Sequence, residues 1–130
     1  MTPKSFNHFH HVAIIFQIYA IKTDGILVNE EKIKVQELLN EWVNDSDETR
    51  NILIESSNFL AEYDKKNSDK ITDLLNHSAN QILEAGVFSE SNLTSILADL
   101  KDIALADSDE MSDNEEMFIT YLAELWGIEL

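Results

Sequence analysis

The densest run of chemically capable side chains lies between Asp99 and Glu116, where eight carboxylates stand beside a single lysine. A hard divalent cation such as calcium takes about six to eight oxygen ligands from a pliant loop. Asp107, Asp109, Asp113 and Glu115 could supply several of them, joined by Asp24 and Glu31 if the two segments carrying them meet in space. The pattern is not an EF-hand. Counting from Asp107, Ser112 falls where the glycine belongs and Phe118 where the closing glutamate belongs. The competing account is local helix chemistry. Acidic residues in a first turn satisfy free amides and complement the macrodipole, and Glu115 follows Ser112 at capping-box spacing.

His8, His10 and His11 form the other cluster of metal-capable groups, with His77 far along the chain. His8 and His11, three apart, would share a helix face. Zinc would still need a third ligand from elsewhere, so these side chains read as partly exposed helix residues. Cysteine is absent, which removes thiol catalysis, redox switching and thiolate metal sites. No phosphate-cradling glycine loop or Gly-x-Ser-x-Gly elbow is present. Paired carboxylates abound, and their abundance singles out no acid–base pair. The chain is expected to be non-catalytic.

Nine basic residues face 25 acidic ones, for a net charge of −16. Phosphate backbones and anionic lipid surfaces are bound mainly through Lys and Arg, so nucleic acid and membrane insertion are excluded as expected partners. Cations, or proteins with a basic surface, remain. The apolar run Val12–Ile21 is interrupted by Gln17 and is too short to span a bilayer. It reads as a buried helix rather than a signal peptide, and a cytoplasmic location is the expectation.

With three glycines and one proline, the sequence reads as all-α, a compact bundle of about six helices in one domain covering residues 1–130. The first is expected from about Ser5 to Lys22, halted at Thr23-Asp24-Gly25. The second runs from about Asn29 to Val43, with Val35, Leu38, Leu39 and Trp42 on one face. Asp45 to Glu48 has capping-box form and opens the third, to about Tyr63, with Asp64 to Ser68 as a polar connector. The fourth spans about Asp69 to Ala85 and stops at Gly86. Ser89 caps the fifth, whose apolar face is Leu93, Ile96, Leu97, Leu100, Ile103 and Ala104. Ser112 to Glu115 opens the sixth, with Phe118, Tyr121, Leu122 and Leu125 on its face and Gly127 as a left-handed cap.

Two stretches repeat each other at an offset of 84 residues. Ala20 meets Ala104, Leu27 meets Met111, Glu31 meets Glu115, Leu38 meets Leu122, and the only two tryptophans, Trp42 and Trp126, fall in register. Repetition on this scale means one helical hairpin used twice.

The first copy, Ala20, Asp24, Gly25, Leu27 and Glu31, resembles the motif of the TerB-like family. The second copy, Ala104, Asp107, Met111 and Glu115, is similar but carries Ser108-Asp109 where Asp-Gly is expected. The resemblance implies a helical bundle of two pseudo-twofold-related hairpins without catalytic residues. It also implies a link to tellurite or stress resistance, and an acidic surface that takes part in metal or partner binding. The expected function is thus protein–protein interaction, with divalent-cation binding through residues 107–116 as the alternative.

Overall fold

A computed structural model of the chain describes residues 2–24, 29–106 and 110–129, with backbone alone at 21–24. The described residues are all-helical: α1 (His8–Asp24), α2 (Asn29–Val43), α3 (Ser46–Asn67), α4 (Ile71–Ala85), α5 (Glu90–Ala104) and α6 (Asp113–Trp126). No helix among them is long and apolar enough to cross a membrane.

The first helix begins later than Ser5 because Asn7 caps it. Its Oδ1 accepts from the Phe9 N–H at 2.9 Å and the His10 N–H at 3.3 Å. The helix continues past Lys22 to Asp24, and the turn expected at Gly25 lies outside the described residues. From Val12 to Ala20 every residue is buried, so α1 is an axis surrounded on all sides. It packs against α2, α3, α4, α5 and α6. Gln17, the one polar residue in that run, has its amide satisfied at both ends. It donates to Ser56 Oγ at 3.1 Å and accepts from Ser57 Oγ at 2.8 Å.

The connector expected at Asp64 to Ser68 is instead helical. The third helix runs to Asn67 and passes through a single 3-10 turn, Ser68–Lys70, directly into α4. Lys65 and Lys66 sit in its last turn, where cations complement the macrodipole. Asn44 ends α2 with φ 59°, the left-handed conformation that asparagine tolerates better than most residues. Gly127 closes α6 in a Schellman motif: its N–H donates to Glu124 O at 3.2 Å and the Ile128 N–H to Ala123 O at 2.8 Å.

Positions 84 residues apart share their burial. Val12, Phe16, Tyr19 and Ala20 are as deeply buried as their counterparts Ile96, Leu100, Ile103 and Ala104. In the second helix of each copy, Glu31, Val35, Leu38 and Leu39 match Glu115, Ile119, Leu122 and Ala123, all buried. Helix α1 packs on α2 and α5 packs on α6, while α1 meets α6 and α2 meets α5 across the copies. The apolar face of α6 differs from expectation. Ile119, Leu122, Ala123 and Trp126 point inward, whereas Tyr121 is exposed and donates to Asn76 Oδ1.

Candidate interaction surface

The residues singled out as cation ligands separate into three groups. Asp107, Asp109 and the side chain of Asp24 lie outside the described residues. Asp113 is the first residue of α6 and exposed. Glu31 and Glu115 are buried third residues of their helices. Glu115 is committed to a capping box: it accepts from the Ser112 N–H at 2.8 Å, and its own N–H donates to Ser112 Oγ at 3.2 Å. Among the described residues no three His, Asp or Glu side chains are grouped to hold a metal ion. Asp107 and Asp109 lie outside those residues, so the cation reading is tested by calorimetric titration of the metal-free parent with calcium beside an Asp107→Asn, Asp109→Asn chain, where no heat in either would leave the acids to helix capping. Saturable binding in the parent alone, seen by calorimetry, would give the segment to the cation.

The flanks of the two repeated hairpin connections do meet. Glu30, Ile33, Lys34 and Glu37 of α2 face Asp102 and Leu105, at the end of α5, together with Ala106 across an open groove of ≈ 470 Å³. Ile33 is 60% exposed and Leu105 40%, so the groove carries two apolar side chains open to a partner. Three carboxylates rim the groove against one ammonium, and Lys34 Nζ stands 3.9 Å from Glu37 Oε2. At the register equivalent to Ile33, Met117 is likewise exposed, beside Asp113, Glu116 and Glu124 on the outer face of α6.

Farther along the same pair of helices, Trp42 and Asp99 are joined. The indole N–H donates to Asp99 Oδ2 at 2.8 Å, and the Trp42 ring meets Phe88 edge-on at 5.5 Å. Burial pushes the Asp99 carboxyl up to about 6; Glu41 and Asp102 add to the rise, while the Trp42 bond and Lys34 oppose it. Asp99 follows Ile96 by three and precedes Ile103 by four, which puts it at the edge of the apolar stripe of α5. That spacing was the signal in the sequence; nothing local pointed to Trp42.

The histidines are less exposed than expected, and His77 is not distant. His10 and His11 are buried, and the His11 and His77 rings lie 5.7 Å apart. His11 Nδ1 shares a hydrogen bond with Ser78 Oγ at 3.2 Å, and His77 Nε2 one with Thr2 Oγ1 at 3.0 Å. Burial pushes His11 down to about 4, helped by His77, then His10 and His8. His8 and His77 are also lowered, each chiefly by burial. His10 stacks on Phe6 at 4.3 Å and reaches Glu55 Oε1 at 3.5 Å. The cluster ties α1 to α3 and α4 as packing.

No family model matches the chain, and neither a curated protein nor a solved structure matches it.

Proposed function

We propose that this chain is a non-catalytic, TerB-like acidic domain: two pseudo-twofold-related helical hairpins acting through contact with other proteins. The setting proposed is a cytoplasmic stress or tellurite response, and the partner surface is basic. The observation that carries the reading is the α2–α5 groove, where exposed Ile33 and Leu105 sit inside a rim of Glu30, Glu37 and Asp102. Apolar anchors in a charged rim are the anatomy of a protein interface. The repeated register, from buried Glu31 and Glu115 to the matched core positions, supports a duplicated hairpin. The net charge of −16 selects the sign of the partner.

The test is capture of binding proteins on the immobilised chain at low salt, followed by a salt gradient. Partners with basic faces should leave by about 0.5 M salt, where the screening length falls below about 5 Å. Partners that are acidic, or whose retention is indifferent to salt, would sink the reading.

A further inference from the structure

We infer that the α2–α5 groove is the seat of one amphipathic, lysine- or arginine-bearing helix from the partner. The inference rests on the partner class proposed above and names where and in what form that partner binds.

Two exposed apolar side chains, Ile33 and Leu105, lie between carboxylates on two helices, which suits an amphipathic cationic helix laid across them. Glu30, Ile33, Lys34 and Glu37 recur at three- and four-residue spacing along α2, and Asp102, Leu105 and Ala106 do so toward the end of α5 and just past it. From Glu30 to Glu37 is about 10 Å of helix, two turns, at roughly 1.5 Å per residue. A third helix laid over two others would cover Ile33 and Leu105 with apolar residues one turn apart. Its flanking cations would then reach the carboxylates on both walls. Lys34 already balances Glu37, which leaves Glu30 and Asp102 as the charges facing outward on opposite sides.

Other occupants fit worse. A second copy of the chain brings the same −16 charge to an acidic rim. A nucleic acid has the same sign as the walls. An extended strand needs a sheet edge, and the described residues form none.

The test uses a synthetic peptide of roughly 18 residues built from leucine, alanine and lysine with leucines at helical spacing. Its controls are a scrambled sequence and a glutamate-for-lysine version. Binding is followed by amide chemical shifts on the intact chain, for the parent, an Ile33→Ser, Leu105→Ser chain and a Met117→Ser chain. All three replaced side chains are exposed, so the fold is retained, as circular dichroism would verify. Shifts clustered on α2 and α5, with affinity reduced about tenfold by the Ile33 and Leu105 replacements and unchanged by Met117→Ser, are expected. Shifts on α6 and loss in the Met117→Ser chain would overturn the groove while leaving a basic partner in place. Equal affinity for the scrambled peptide would overturn the helical occupant. No saturable binding of the lysine peptide would overturn both the groove and the partner class.

Discussion

Asp99→Asn is expected to raise the stability of the chain at pH 7 by about 2 kcal/mol, and to change it little near pH 3.5. The folded carboxyl titrates near 6, against 3.8 for an unperturbed aspartate. A raised folded value means that the unfolded chain gives up its proton first. Stability is therefore lost as pH climbs from 3.8 to about 6, and the loss is complete above that. The full shift corresponds to about 3 kcal/mol; partial exposure of Asp99 discounts it. Asparagine keeps an oxygen to accept the Trp42 N–H, so the bond at 2.8 Å survives while the ionisation cost disappears. Urea unfolding of both chains across the window measures the gap. A gap of the same size at both ends would show that Asp99 ionises as freely in the fold as outside it.

His11 works in the opposite sense. Its folded value lies near 4, below the ordinary 6.5, so the unfolded chain takes up the proton first as acid is added. Stability falls from pH 6.5 down to about 4 and then levels, a loss of about 3 kcal/mol for a shift of this size. His11→Gln should flatten that decline, because glutamine fills similar space and can hydrogen-bond Ser78 without titrating. The two groups oppose each other between about pH 4 and 6, so each variant exposes the other. The Asp99→Asn chain should weaken more steeply with acid than the parent, and the His11→Gln chain less steeply. Parallel curves for parent and His11→Gln would dispose of the histidine argument. The comparison between variants cancels what the other acidic groups contribute.

Much of the helical layout could be read from local chemistry. Ser89 and Ser112 cap the helices they were expected to cap, and the six apolar positions of α5 are the ones buried. The polarity of Asp64 to Ser68 predicts a loop, yet the lysines there sit well at a helix C-terminus. The ring of Tyr121 suits the apolar face of α6, yet its hydroxyl prefers the rim, where Asn76 meets it. The candidate site was less legible for a different reason. The acidic run signals charge alone, while the groove depends on Ile33 lying opposite Leu105, residues 72 positions apart. His11 beside His77 is the same kind of fact: a distance set by packing α1 on α4, with no local signature.

The burial of α1 on every side has a consequence during synthesis. An amphipathic helix can wait for its partners with its polar face to solvent, but Val12 to Ala20 has no such face. Its neighbours α5 and α6 are made after α2, α3 and α4, on the order of ten seconds behind α1 at ordinary translation rates. Until then α2, α3 and α4 are already at hand to pack on Val12 to Ala20, and the side that α5 and α6 cover stays open. The burial of α1 is therefore completed only once α5 and α6 have been made.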